Sequence, residues 1–186
     1  MFGHQAAYAA QQSFIGDIEL RADEIIGNEV NLAFDVSVLD LAATWAVGAA
    51  VDLLPDSVLD VPTLALDYIT SRGITSLFTV PTYARMLLEC RPDAQGTLAR
   101  LRRLMLTGEV IPSQLASLMA PLIDAGKVYN QLGATEFTHG PSRRLSPSDL
   151  HNPNRLDLDR ATSVEATVQV DGELVLSGPG LVTGHV

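Results

Sequence analysis

The sequence of 186 residues is poor in cysteine, in aromatic residues and in positive charge. Cys90 is the only cysteine, which excludes an intramolecular disulfide and a Cys-x-x-Cys site and favours a reducing cytoplasm as the compartment. The formal net charge of -10 argues against nucleic acid as a partner, because phosphate binding needs clustered Lys and Arg. The densest basic group, Arg100, Arg102 and Arg103, is typical of a solvated helix end, with a carrier-docking surface as the alternative.

Long apolar segments are also absent. The most apolar stretch, residues 41–51, is far shorter than the roughly 20 residues that cross a bilayer. The N-terminus has no basic segment followed by an apolar one, so we expect neither a targeting signal nor a membrane partner. The four histidines are scattered without the spacing of a zinc site. Hydrophobic residues nonetheless make up 47% of the chain, which predicts a folded domain with its own core.

Apolar periodicity and turn residues predict alternating helices and strands. Helices are expected at 4–15, 36–47, 59–71, 81–89 and 112–124, and strands at 29–34, 49–54, 74–80, 104–106 and 127–131. Residues 36–47 are apolar on nearly every side, which predicts a helix buried on both sides. Strands joined by helices imply parallel pairing with right-handed crossovers. The predicted fold class is therefore α/β, a mainly parallel sheet flanked by helices on both faces.

The pattern changes after residue 140. Residues 141–160 carry three prolines among many Ser, Asp, Asn and Arg, a composition typical of a loop or linker. Alternating residues on either side of Asp171-Gly172 predict a β-hairpin with strands at 162–170 and 173–177. We therefore divide the chain into an α/β subdomain over 1–140, a loop over 141–160 and a C-terminal β-hairpin segment over 161–186.

The most informative stretch is residues 128–136, Val-Tyr-Asn-Gln-Leu-Gly-Ala-Thr-Glu. A predicted strand leads directly into a glycine turn that presents the Thr135 hydroxyl beside the Glu136 carboxylate. Such a pair can reach a phosphate and its metal ion; alternatively, the two side chains cap the next element. Asp35, Gly108 and Gly133 each follow a predicted strand, and the carboxyl ends of parallel strands meet at one edge of a sheet. These positions are therefore expected to share one pocket.

Four segments carry a resemblance to a known family. Residues 130–136 are similar to the Asn-x-Tyr-Gly-x-Thr-Glu signature of adenylate-forming enzymes, above all the adenylation domains of nonribosomal peptide synthetases. Phe-Asp-Val-Ser at 34–37, Leu-Thr-Gly-Glu at 106–109 and the Gly-Glu-Leu hairpin at 172–180 match further family motifs in the same order. The resemblance runs from about residue 4 to residue 186. It implies the flavodoxin-like subdomain of an adenylation core.

The resemblance also implies roles for individual residues. Asp35 would pair with the α-amino group of an amino acid or aminoacyl ligand, and Glu136 would help to hold Mg2+. ATP or AMP would be bound by Gly108, Glu109, Gly133, Ala134 and Thr135. The amino acid pocket would be formed by Asp35, Val36, Leu39, Phe78, Met105, Thr107, Gln131, His139 and Gly140.

Ordinary structural roles compete at several of these positions. Asp35 is also a favoured N-cap for a helix that starts at Val36. Phe78 and Met105 suit a plain hydrophobic core, and His139 suits an exposed loop. No catalytic residue is identified, because the serines lack a Gly-x-Ser-x-Gly elbow and the cysteine lacks a histidine at informative spacing.

Other parts of the family signature do not occur among these residues. The chain contains no Ser/Thr/Gly-rich loop ending in Pro-Lys-Gly, and neither the ribose-binding aspartate segment nor the C-terminal lysine segment is found. Leu132 stands where a tyrosine usually stacks on adenine. We expect a truncated adenylation domain that retains amino acid recognition and does not adenylate alone. The alternatives are a non-catalytic protein that docks a carrier protein, a synthetase or a second copy of itself, and a pocket recruited for unrelated chemistry.

Overall fold

The computed structural model describes residues 3–155 and 163–184. The predicted linker residues 156–160 and the start of the predicted strand at Thr162 lie outside the described residues. Among the described residues, no helix has the length and apolar character needed to span a bilayer.

In chain order the elements are α1 (His4–Ile18), β1 (Ile25–Asn28), α2 (Asp35–Ala46), β2 (Ala50–Leu53), α3 (Asp56–Leu59), α4 (Pro62–Ser71), β3 (Ser76–Thr79), α5 (Pro81–Glu89), α6 (Ala94–Leu98), β4 (Arg103–Thr107), α7 (Ser113–Leu118), α8 (Ala120–Asp124), β5 (Val128–Gln131), β6 (Ser142–Arg144), a 3-10 turn (Pro147–Asp149), β7 (Glu165–Val168) and β8 (Leu174–Ser177).

Six strands form the main sheet, in the order β2-β1-β3-β4-β5-β6. The first five pair in parallel, and β6 is antiparallel to β5. β7 and β8 form a separate antiparallel hairpin, with Gly172 in the left-handed region at φ 88°. The predicted fold class, a mainly parallel sheet with a C-terminal hairpin, is confirmed.

Two hydrophobic cores cover the two faces of the sheet, because successive side chains of a strand point to opposite faces. Leu104 and Leu106 of β4 pack with residues of α4, α5, α7 and α8 on one face. Met105, between them, packs with residues of α1 and α2 on the other face. The helices therefore lie on both faces, and α1 with α2 form the layer that carries Asp35.

A buried ion pair fastens the end of α1 to the sheet at the amino ends of the strands. Arg103, at the start of β4, pairs with Glu24, and the two residues are 7% and 1% exposed. The Arg103 guanidinium also donates to the carbonyls of Ile18 and Glu19, each at 2.5 Å. The Ser76 hydroxyl donates to Glu24 at 2.7 Å, so both the carboxylate and the guanidinium of the pair have further hydrogen-bond partners. The position of α1 thus depends on one buried guanidinium.

The first strand lies earlier than predicted. A strand was expected at 29–34, but β1 is Ile25–Asn28 and residues 29–34 form a loop. Leu32 and Phe34 are both 62% exposed in this loop, so their apolar character does not mark a strand. Gly27 disfavours a strand by propensity, yet β1 needs it, because a Cβ there would lie 3.0 Å from Ile74 Cγ2. Close packing against Ile74 outweighs local propensity here.

Three helix predictions differ from the structure. The helix expected over 59–71 starts later, because α3 ends at Leu59 and α4 begins at Pro62. α2 was expected to be buried on both sides, but Val38 and Trp45 are 58% and 66% exposed, so only one side faces the sheet. The helix expected over 112–124 is split into α7 and α8 around Met119. Pro121 lies in the first turn of α8, where its missing N–H costs no intrahelical hydrogen bond.

Residues 141–155 are more ordered than a linker. They contain β6 and the 3-10 turn, and Leu145 is 1% exposed in the core. The Asn130 carboxamide of β5 donates to the carbonyl of Pro153 at 3.1 Å, which fixes this segment against the sheet. The division into subdomain, loop and hairpin segment stays a prediction.

Candidate functional site

A cavity of about 420 Å3 opens at the carboxyl edge of the sheet, where parallel α/β folds place their ligands. It is bounded by the loops that follow β1, β3, β4 and β5 and by the start of α2. Nine of the fifteen predicted site residues line it. They are Asp35, Val36, Phe78, Thr107, Gly108, Glu109, Gly133, Ala134 and Thr135.

A second cavity, of about 430 Å3, lies between α1 and α2. It shares Asp35, Thr135 and Thr138 with the first, and Leu39 lines it. Asp35 therefore stands where the two cavities adjoin. Together they offer room for a ligand of amino acid size and more.

The remaining predicted residues lie around these cavities. Met105 is 1% exposed in the core, and Gln131 lines a smaller cavity of about 290 Å3 together with Gly108 and Gly133. His139 and Gly140 are buried behind the 133–138 loop, and Glu136 is exposed beside Thr135. The assignment of these residues to ligand binding stays a prediction.

Asp35 is the first residue of α2 and its side chain is not a helix cap. The N-cap is Phe34, and no side chain caps this helix. Asp35 is half-exposed, and its carboxylate makes no hydrogen bond or ion pair with any residue that the structure describes. The capping alternative is therefore wrong, because the helix starts one residue earlier than the pattern suggested. A carboxylate that faces two cavities without a partner is suited to a cationic ligand.

His139 is held from behind by a residue that sequence reasoning missed. The imidazole is fully buried, and its Nε2 lies 2.8 Å from Oδ2 of Asp17 on α1. The Ser142 hydroxyl donates to the same carboxylate oxygen at 3.2 Å, and Phe14 packs its ring against the imidazole at a centroid distance of 5.3 Å. Because Asp17 and His139 are 122 residues apart, no local pattern could have linked them. This pair ties the loop behind the cavities to α1.

Two glycines of the site are required by close contacts. A Cβ on Gly140 would lie 2.6 Å from a ring carbon of Phe137 and 2.9 Å from the carbonyl oxygen of Leu132. A Cβ on Gly133 would lie 3.0 Å from the Thr138 carbonyl oxygen and 3.2 Å from the Thr107 hydroxyl. These glycines let the 133–140 loop fold back tightly against β4 and β5.

Glu109 has a structural partner within the cavity wall. Its Oε2 accepts hydrogen bonds from the Thr82 backbone N–H at 2.9 Å and from the Thr82 hydroxyl at 2.6 Å. Thr82 lies in the first turn of α5, where a carboxylate is favoured by the unpaired N–H groups and the helix dipole. Glu109 thus joins the loop after β4 to the start of α5.

The cavity has negative side chains and no positive ones among the described residues. Glu29, Asp35 and Glu109 line it, whereas no Lys, Arg or His of the described part does. The single lysine of the sequence, Lys127, precedes β5 at the opposite edge of the sheet and donates to the carbonyl of Ala99. The described chain therefore brings no cation to a phosphate in this cavity.

Two carboxyl groups with raised pKa values, Glu29 in the cavity wall and the buried Asp40, were not anticipated from the sequence. Burial raises the pKa of Glu29, while hydrogen bonds from the Thr79 hydroxyl and the Val80 backbone act in the opposite direction. Asp40 on α2 is completely buried, and burial raises its pKa well above the ordinary value, with the charge of Glu29 adding to the effect. The Asn28 carboxamide donates to Asp40 Oδ2 at 3.2 Å and partly offsets it. Asp40 therefore favours its protonated form.

This protonation predicts a pH-dependent stability. The folded state holds the Asp40 proton more tightly than the unfolded chain does. The stability that this proton contributes is therefore fully present below the unfolded pKa of about 3.9, and it is lost as pH rises through the raised folded pKa. Within that window the free energy of unfolding falls by up to about 1.4 kcal/mol per pH unit. Asp40→Asn should remove this part of the slope and stabilise the protein at neutral pH.

Urea denaturation at a series of pH values above the sequence pI of about 4.6 measures the effect. Asp124→Asn, on an exposed residue of α8, is the matched control and should retain the wild-type slope. Identical slopes for the wild type and Asp40→Asn would show that Asp40 does not hold this proton.

No group of three or more metal-ligating side chains occurs in the part of the chain that the structure describes. Mg2+ is usually bound through one or two carboxylates together with substrate phosphates. Glu136 supplies one exposed carboxylate next to the Thr135 hydroxyl. The donor set fits a Mg2+ ion that arrives with a nucleotide and does not form a protein cage.

Solved structures identify the class of this fold. CmiS6 superimposes with a TM-score of 0.86 at 23% identity, over 98% of this chain and 47% of that one. The four-domain nonribosomal peptide synthetase AB3403, solved with AMP and glycine, superimposes with a TM-score of 0.80 at 24% identity, over 98% of this chain and 14% of that one. At these identities the likeness shows the fold, which is that of an adenylation core.

The sequence identifies the family. Residues 1–186 match the AMP-binding enzymes, so the chain belongs to that family and the resemblance drawn from its motifs is confirmed. An L-proline--[L-prolyl-carrier protein] ligase of Streptomyces coelicolor is 26% identical over 98% of this chain, and one of Pseudomonas fluorescens is 30% identical over 87%. A D-alanine--D-alanyl carrier protein ligase of Staphylococcus aureus is 23% identical over 86%. The chain spans 38%, 35% and 33% of the lengths of these relatives.

Proposed function

We propose that the chain is the amino-acid-recognition part of an adenylation domain of the nonribosomal peptide synthetase type. The observation that carries the proposal is the Asp35 carboxylate, which has no partner among the described residues and faces two adjoining cavities. An ammonium group would supply the missing counter-charge, and the named relatives are ligases of proline and D-alanine. A cytoplasmic location is proposed with it, on the ground of the single cysteine.

The roles proposed for the other residues follow the layout of the cavities. Thr135 would contact a phosphate of ATP or AMP, with Gly108, Glu109, Gly133 and Ala134 around it, and Glu136 would hold Mg2+ together with phosphate oxygens. These roles are supported by the position of the loops after β4 and β5 on one cavity wall. The substrate would contact Val36, Leu39, Phe78 and Thr107 directly, with Met105, Gln131, His139 and Gly140 forming the surrounding wall.

Asp35→Asn tests the recognition half of the proposal. A subset of α-amino acids should raise the melting temperature of the wild-type chain, because a ligand that binds only the folded state stabilises it by mass action. The variant should retain its fold and lose the ligand-induced rise. Differential scanning fluorimetry with a panel of amino acids measures both properties.

Asp56→Asn is the matched control, because Asp56 is likewise the first residue of a helix and is exposed. It should respond to amino acids like the wild type. An equal rise in wild type and Asp35→Asn would refute the role of Asp35.

A non-catalytic docking role is the second candidate, favoured by exposed apolar side chains. Tyr8 on α1 and Val38 and Trp45 on α2 are 64%, 58% and 66% exposed, and contiguous apolar surface commonly marks an interface. The proposed partner is a carrier protein, a synthetase or a second copy of the chain. Light scattering over micromolar concentrations, with and without a carrier protein, measures the molar mass and so tests this role. A monomeric mass in every mixture would rule it out.

A further inference from the structure

The charge of the first cavity exceeds what one amino group requires. Of the three carboxylates that line it, Glu109 is held by Thr82 and Asp35 is assigned to the α-amino group. Glu29 remains without an assigned role. Asp35 and Glu29 enter the cavity from the two ends of the 29–34 loop, since Glu29 directly follows β1 and Asp35 begins α2.

We propose that the substrate is an amino acid with a second amino group, and that Glu29 binds that group. This inference rests on the proposed function. Glu29 is half-buried and lines the cavity close to Thr79 and Val80, at the end of β3. No lysine, arginine or histidine among the described residues lines this cavity, so none of them supplies a counter-charge to Glu29 there.

The electrostatics beneath the cavity agree with a cationic ligand. Burial raises the pKa of Glu29 and of the fully buried Asp40, and the negative charge of Glu29 raises the pKa of Asp40 further. An ammonium group at Glu29 would stabilise its ionised form, because an opposite charge within a few ångströms favours the charged state of a carboxyl. A neutral substrate side chain would leave the Glu29 carboxylate without a compensating charge.

Matched pairs of amino acids test this assignment in the 186-residue chain. L-2,4-diaminobutyrate, L-ornithine and L-lysine are compared with L-2-aminobutyrate, L-norvaline and L-norleucine by calorimetry and by melting temperature. At least one diamino acid should bind tenfold or more tightly than its neutral partner, which corresponds to about 1.4 kcal/mol. Glu29→Gln should erase this preference, whereas Asp35→Asn should weaken the binding of both members of a pair. Glu173→Gln, on an exposed residue of the hairpin, should bind like the wild type.

The outcomes separate this inference from the proposed function. Neutral amino acids that bind as tightly as the diamino acids, in an Asp35-dependent manner, would overturn the inference and leave the proposed function standing. The same holds if Glu29→Gln keeps the preference. Binding of Mg2+ alone that depends on Glu29, with no preference for diamino acids, would make Glu29 a cation ligand and overturn the inference. The absence of binding by all six amino acids would overturn the inference, whereas the proposed function is overturned only if no amino acid of the wider fluorimetry panel stabilises the chain.

Discussion

Replacing Arg103 by methionine is expected to lower the free energy of unfolding by about 3 to 5 kcal/mol, because removing one partner of a buried ion pair leaves an uncompensated charge. Glu24 would stay buried, at 1% exposure, with only Ser76 and a backbone N–H as polar partners. The carbonyls of Ile18 and Glu19 would also lose their donor, so the C-terminal end of α1 would loosen from the sheet. Since α1 carries Asp17, the loop at His139 should become less rigid as well.

Arg102→Met is the matched control for this substitution. Arg102 is the neighbouring residue and pairs with Asp23 at 3.0 Å, but its side chain is 41% exposed. Exposed ion pairs contribute about 0 to 1 kcal/mol, so the control should cost little. Urea denaturation of both variants measures the difference. Equal losses for the two arginines would contradict the role assigned to the buried pair, and Arg103→Met with Glu24→Gln should recover part of the loss.

Amino-acid-dependent ATP–pyrophosphate exchange by the isolated chain is expected to lie about four powers of ten below that of a complete adenylation enzyme. A preorganised contact to the charge that develops in the transition state commonly lowers the activation free energy by about 3 kcal/mol, and each 1.4 kcal/mol changes the rate tenfold. No basic residue of the described chain lines the cavity, and the only lysine, Lys127, lies at the opposite edge of the sheet. At least two such contacts are therefore missing from the part of the chain that the structure describes.

The exchange assay uses ATP, Mg2+ and labelled pyrophosphate with each common amino acid, and a complete adenylation enzyme serves as the positive control. Exchange that requires an amino acid and disappears in Glu136→Ala would show that the chain adenylates on its own. Exchange that survives Glu136→Ala would point to a contaminating enzyme.

Much of the fold could be predicted because its signals are local. The alternation of helices and strands follows from apolar periodicity, and the Asp171-Gly172 turn specifies the β7-β8 hairpin, which is confirmed. The predicted position of β1 was wrong because Leu32 and Phe34 are apolar and yet exposed in the 29–34 loop, while Gly27 is required by its contact with Ile74. β6 was missed because it is three residues long and its neighbours read as a loop.

The candidate site was predictable only in its motif-bearing loops. Asp35, Thr107 and Thr135 share one cavity because they follow or adjoin the carboxyl ends of neighbouring strands, a relation that the order of elements implies. Asp17 and Glu29 could not be found in the same way. The partner of Asp17 is 122 residues away, and the environment of Glu29 includes Thr79 and Val80, about 50 residues further along the chain at the end of β3.

Recognition of an amino group by Asp35 is the central claim, and one calorimetric comparison tests it most directly. The wild-type chain is titrated with an amino acid that raises its melting temperature, and then with the N-acetyl derivative of the same amino acid. Acetylation removes the positive charge and keeps the side chain and carboxylate, so we predict binding of the free amino acid and at least tenfold weaker binding of the derivative. Equal affinity for the two compounds would contradict the claim.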